Sequence, residues 1–121
     1  WWTIREHGLD RLGQKIADNC ALARQLADRV ERESGLELLA PVALNIVCFR
    51  AQAPGLDPAA LDRLNARIVA ELQLRGIAAP STTRIAGRLA IRVNITNHRT
   101  QPADIDTLAD AVVALAEELR R

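Results

Sequence analysis

Arg92 is the residue of this sequence best placed to do chemistry. It sits in the stretch Arg88–Thr100, Arg-Leu-Ala-Ile-Arg-Val-Asn-Ile-Thr-Asn-His-Arg-Thr, where Leu89, Ile91, Val93 and Ile95 alternate with Arg88, Ala90, Arg92 and Asn94. Alternation with period two marks a half-buried strand, because successive side chains point to opposite faces. The aliphatic row supplies a core face, and Arg92 lies on the other with Asn94 as its same-face neighbour. Two readings stand side by side: a solvent-facing or ion-paired arginine, or a guanidinium whose planar fork is presented to a carboxylate. The remaining reactive side chains are scattered. His7 and His98 have no partners at metal-ligand spacing, and His98 reads as a polar loop residue. Lys15, the single lysine, falls on the charged face of a helix, where a Schiff-base role that needs a desolvated amine is unsupported. No serine sits in a nucleophile elbow and no Gly-rich loop offers a phosphate cradle. Asn97 suits a left-handed turn and Thr100 a helix cap.

The elements that must position Arg92 are legible from apolar spacing. Trp1 to His7 reads as the last turns of a helix closed by Gly8 in a C-cap role. From Leu9 an amphipathic helix with Leu12, Ile16, Cys20, Ala23, Ala27 and Val30 inward runs to Ser34-Gly35. Leu36 to Ala40 is a short strand stopped by Pro41. Leu44 to Arg50 is almost continuously apolar, which predicts a central strand covered on both faces. Asp57-Pro58 opens a second helix, with Asp as N-cap and Pro at the first position. Its inward stripe is Leu61, Leu64, Ile68 and Leu72, and Gly76 closes it. Ile77 to Ile85 is a third strand, joined by the tight Ala86-Gly87 connection to Arg88–Ile95 as a hairpin. A last helix starts at Thr100 to Pro102 and buries Ile105, Leu108, Val112, Leu115 and Leu119. The order α-β-β-α-β-β-α predicts an α+β fold, a mostly antiparallel four-stranded sheet with three helices on one face.

Composition narrows the function classes. The chain has 121 residues, enough for one domain spanning 1–121. A net charge of +1, with Arg and acids interspersed, gives no electrostatic reason for nucleic acid or an anionic membrane. One Phe and no Tyr leave a base-stacking platform without support. No apolar run reaches the length of a membrane span. Cys20 and Cys48 read as small core residues of a reducing compartment, and no disulfide or zinc framework is implied. The chain opens on Trp1-Trp2 and contains no methionine, which reads as a piece of a longer polypeptide.

Three blocks carry a family resemblance. Trp-Trp-Thr-Ile-Arg-Glu-His-Gly (1–8), Leu-Leu-Ala-Pro-Val-Ala-Leu-Asn-Ile-Val-Cys-Phe-Arg (38–50) and Arg-Val-Asn-Ile-Thr-Asn-His-Arg-Thr (92–100), followed by Asp104-Ile105, resemble the C-terminal region of group II pyridoxal-phosphate-dependent amino acid decarboxylases. That family includes the aromatic-L-amino-acid, glutamate and histidine decarboxylases. The resemblance runs in register over essentially the whole chain. It implies a cytoplasmic, homodimeric fold-type I enzyme, a carboxy-lyase, of which this chain is the small C-terminal domain. Residues 1–8 would then end a helix leading in from a large domain that holds the pyridoxal phosphate. The aldimine lysine, the ring-stacking histidine and the pyridinium aspartate belong to that large domain, so the resemblance implies that this chain alone neither holds the cofactor nor catalyses. In the family's glutamate decarboxylases an arginine in the matching strand contacts a substrate carboxylate, and Arg92 holds that position here.

A stand-alone α+β module that binds or senses a small molecule is the competing reading. It predicts a ligand bound by this chain alone. Under the decarboxylase reading the bare side of the sheet was shaped to lie against the large domain, and it should expose apolar area around Val47 and Phe49 and promote self-association.

Overall fold

The computed structural model describes residues 2–42, 44–78, 80–95 and 100–120, with the side chains of 2–12, 15 and 120 excepted. The element order is α1 (Trp2–Arg32), β1 (Leu36–Leu38), β2 (Ile46–Ala51), α2 (Pro58–Leu74), β3 (Ser81–Ile85), β4 (Arg88–Asn94) and α3 (Pro102–Arg120). All strand pairs are antiparallel, in the spatial order β1-β2-β4-β3. This is the α+β arrangement expected from the apolar spacing. The helices form one layer, in which α3 lies between α1 and α2.

Strand parity decides which side chains meet that layer. Val47 pairs with Val93 and Phe49 with Ile91 across β2 and β4, and Val47, Phe49 and Ile91 are 0% exposed. They pack with Leu26, Val30, Ile68, Leu72 and Val112 in one core. The apolar patch anticipated around Val47 and Phe49 on the bare face is therefore absent; both residues point to the helices. In a run as apolar as Leu-Asn-Ile-Val-Cys-Phe-Arg, sequence alone does not say which parity faces the core, and a shift of one residue exchanges the two faces. The other face of β2 carries Ile46, Cys48 and Arg50 and has no helix over it. Arg50 is nonetheless only 9% exposed, and its guanidinium pairs with Glu37 at 3.1 Å.

The connections follow their local chemistry. Asp57 caps α2 by accepting from the Ala60 N–H at 2.7 Å, and Pro58 occupies the first position. Gly76, at φ 68°, ends α2 in a Schellman motif: its N–H donates to Gln73 O and the Ile77 N–H donates to Leu72 O. Ile77 and Ala78 belong to this exit, so β3 starts only at Ser81, after Pro80. Ala86 (φ 53°) and Gly87 (φ 79°) both take left-handed geometry, as a two-residue type I′ hairpin requires.

Two expectations for the helices are corrected. Gly8 does not close a helix: α1 runs unbroken for 31 residues, about 46 Å at 1.5 Å per residue. A glycine permits a C-cap but does not impose one, and the apolar period carries the helix through it. Among the described side chains the inward stripe of α1 begins at Leu22 and continues through Ala23, Leu26, Ala27 and Val30, while Leu12, expected inside, lies outside them. Ile16, expected inside, is 51% exposed. Among the described residues no helix is long and apolar enough to cross a membrane.

Candidate functional site

β4 places Arg92 on the face of the sheet opposite the helices. Its Cα neighbours are Cys48 on β2 and Ser81 on β3, so it sits in mid-sheet and is half-buried. Two strands flank its stem, which limits the rotamer freedom lost when the guanidinium engages a partner. Beside it, burial pushes the Cys48 thiol upward in pKa, and the positive charge of Arg92 pulls in the opposite direction.

The same face carries Arg50, Arg88 and Glu37. Glu37 receives Arg50 at 3.1 Å through one oxygen and Arg88 at 3.4 Å through the other. The one carboxylate of this cluster is thus occupied by two guanidiniums. Among the described residues no carboxylate pairs with Arg92, and the face carries surplus positive charge around a strand centre. Such an arrangement receives an anion, and a carboxylate matches the guanidinium fork.

The end of β4 is fixed by an amide pair. Leu44, at φ 55°, turns the chain so that Asn45 meets β4. Asn45 Nδ2 donates to Ile95 O at 2.9 Å and to Asn94 Oδ1 at 3.1 Å, while the Ile95 N–H donates to Asn45 O at 2.9 Å. The alternation in β4 makes Asn94 a same-face neighbour of Arg92, while nothing local in the sequence marks Asn45 beyond its being a polar residue at the head of an apolar strand.

Among the described residues none of the other candidates joins this site. Asn97 and His98 lie outside the described residues, as do the side chains of His7 and Lys15. Thr100 precedes α3 but does not supply its cap; the Gln101 N–H donates to Asp104 Oδ2 at 2.8 Å. Cys20 and Cys48 are free and only half-buried, less enclosed than a core reading expects. A cavity of about 390 Å³ opens between the end of β4 and the first turns of α3, lined by Ile77, Pro80, Val93, Asn94, Ile95 and Leu108. Arg92 is not part of its lining, and its carboxylate, Asp104, is engaged in the helix cap. Among the described residues no three His, Cys, Asp or Glu side chains gather as a metal site, and no buried side-chain polar atom lacks a partner.

No family model matches the chain. Relatives are found by sequence along its whole length. The L-2,4-diaminobutyrate decarboxylase of Acinetobacter baumannii is 28% identical over 120 residues, which cover 99% of this chain and 24% of that protein. The enzyme of the same name from Rhizobium meliloti (strain 1021) is 31% identical over 117 residues, 97% of this chain and 23% of that protein. Among solved structures, the glutamate decarboxylase domain of a diaminobutyrate-pyruvate transaminase and L-2,4-diaminobutyrate decarboxylase from Vibrio parahaemolyticus superposes with a TM-score of 0.83 at 31% identity. That match covers 96% of this chain and 24% of the other. The Oryza sativa TDC with PLP and tryptamine has a TM-score of 0.88 at 21% identity, covering 100% and 26%, and shares the fold. The chain thus spans about a quarter of the length of the relatives it matches.

Proposed function

We infer that this chain is the C-terminal domain of a group II pyridoxal-phosphate-dependent amino acid decarboxylase, a family to which it is homologous over nearly its whole length. The observation that carries this reading is the match of 99% of the chain, at 28% identity, to a diaminobutyrate decarboxylase. In this reading the activity, carboxy-lyase chemistry on an amino acid, belongs to a longer cytoplasmic polypeptide that works as a homodimer. Its large domain holds the pyridoxal phosphate and packs against the bare face of the sheet.

The residues of this chain do not fit the cofactor. A pyridoxal phosphate site takes a lysine for the aldehyde and a charged partner for the ring nitrogen. The only lysine here is Lys15, whose side chain lies outside the described residues. Among the described residues no orphaned polar group points into a cavity where a bound group would satisfy it. In this reading cofactor chemistry belongs to the large domain, and the contribution of this chain is to bind and orient. Arg92 receives a substrate carboxylate at the cleft between the domains. Its half-buried stem and fixed strand hold the guanidinium in one place, and its charge supplies most of the attraction. Glu37 keeps Arg50 and Arg88 occupied, so that Arg92 is the guanidinium of this face left available among the described residues.

Expression of the full-length polypeptide tests the assignment. Purified protein should carry pyridoxal absorbance and release carbon dioxide with the matching amine from one member of a panel of L-2,4-diaminobutyrate, aromatic L-amino acids and glutamate. Protein without pyridoxal phosphate, or cofactor-loaded protein that forms no amine from any amino acid, would overturn it. A ligand held by the 121-residue chain alone would favour a stand-alone module.

A further inference from the structure

We propose that Asn94 is a second donor to the carboxylate at Arg92, and that Asn45 sets its polarity. This inference rests on the reading of Arg92 as a substrate-binding residue. A carboxamide has one accepting and one donating end, and only its partners decide which end faces where. Here the chain of partners starts from a backbone carbonyl, whose polarity is fixed. Ile95 O can only accept, so the Asn45 end that lies 2.9 Å from it is Nδ2. The same Nδ2 lies 3.1 Å from the Asn94 carboxamide, so the Asn94 atom facing it is Oδ1. Flipping Asn94 would set two donors against each other. Its NH2 group is therefore turned away from Asn45 and has no acceptor among the described residues, and Asn94 is exposed.

Asn94 and Arg92 are two residues apart on one strand, so they share a face with their Cα atoms about 7 Å apart. Hydrogen bonds of about 2.9 Å from either side span such a gap around a single carboxylate. Both side chains offer only donors in that direction. An ammonium group would find no acceptor there, which makes the pair selective for the anionic end of an amino acid. Asn45 would not touch the substrate; it is a positioning residue that acts through Asn94.

The test uses the full-length enzyme and its best amino acid substrate, with pyridoxal absorbance and melting temperature confirming intact protein. Asn94→Ala should raise KM about tenfold, the scale of a lost hydrogen bond to a charged group, with kcat within twofold. Asn94→Asp, which places a negative charge at the site, should raise it further. Asn45→Ala should raise KM in the otherwise native enzyme but add nothing in the Asn94→Ala background, a non-additivity that a general loss of stability does not produce. Arg92→Lys separates the two levels of the argument. If it raises KM while Asn94→Ala and Asn94→Asp leave KM unchanged, the role of Asn94 is overturned and that of Arg92 stands. If Arg92→Lys leaves KM unchanged, the underlying reading fails and this inference with it. Independent, additive effects of Asn45→Ala and Asn94→Ala would overturn the positioning role of Asn45.

Discussion

Replacing Asn65 by Leu tests how β2 is held at the point where it leaves the sheet. Asn65 is fully buried on α2. Its Oδ1 accepts from the Ala51 N–H at 2.7 Å, and its Nδ2 donates to Ala51 O at 3.1 Å and to Leu61 O at 2.9 Å. Leu61 O is also the helical acceptor four residues back, so its loss costs little. Ala51 is different: it is fully buried, and both of its backbone groups would lose this partner together. Each orphaned buried group costs about 1–3 kcal/mol, and leucine at this site returns part of that through added apolar contact. A net loss of about 2–4 kcal/mol is expected, a large share of the roughly 5–15 kcal/mol that holds a domain together. At several degrees per kcal/mol, the melting temperature should drop by about 10 °C. Urea unfolding followed by circular dichroism reads the loss directly, with Ala66→Gln on the exposed side of α2 as a neutral control. Asn65→Asp adds a signature in pH. A carboxylate can accept from the Ala51 N–H but repels the two carbonyls, which raises its folded-state pKa above the unfolded value. Stability should then be low at neutral pH and recover as pH falls through that raised pKa. Asn65→Leu at native stability, or Asn65→Asp indifferent to pH, would refute the clamp.

Ala86 holds φ 53° in the hairpin turn, a geometry that costs an ordinary residue about 1–2 kcal/mol; Ala86→Asn should therefore stabilise by about 1 kcal/mol in urea titration, and a destabilised variant would show that the turn is not type I′. Phe49→Ala should cost about 3–5 kcal/mol, since Phe49 is fully buried; a loss under 1 kcal/mol would put the ring on the open face instead. Asp62 accepts from the Leu89 N–H and from Arg84, each at 3.0 Å, and these partners hold its carboxyl below the usual range. Its contribution is therefore complete above the ordinary carboxylate pKa and lost as pH falls below it. In Asp62→Asn the decline of stability below the ordinary carboxylate range should be shallower, and an unchanged acid limb would count against the interaction.

How much of this was readable in advance depended on whether a signal was local. The alternation of Arg88–Ile95, the Asp57-Pro58 start of α2 and the Ala86-Gly87 turn each encode their structure within a few residues, and each appears where expected. The placement of Arg92 on the bare face followed from its parity with Leu89, Ile91 and Val93. By contrast, the faces of β2 depend on which neighbour it pairs with, and a run of apolar side chains does not report parity. Asn65 looks like an ordinary polar residue inside a helix; only the arrival of Ala51 gives it partners. Ile16 keeps the period of the buried stripe, yet it lies ahead of the first core residue of α1 among the described side chains. Asn45 acquires its role from Ile95, fifty positions away, and no local pattern carries that.

Steady-state kinetics of the full-length enzyme with Arg92→Ala test whether this sheet presents a substrate-binding guanidinium. If the bare face of this sheet presents Arg92 to the substrate, the variant should keep its pyridoxal phosphate and its melting temperature while KM rises by about a hundredfold, the scale of a lost charge-assisted contact. An Arg92→Ala enzyme that binds substrate as tightly as the native one would contradict the account.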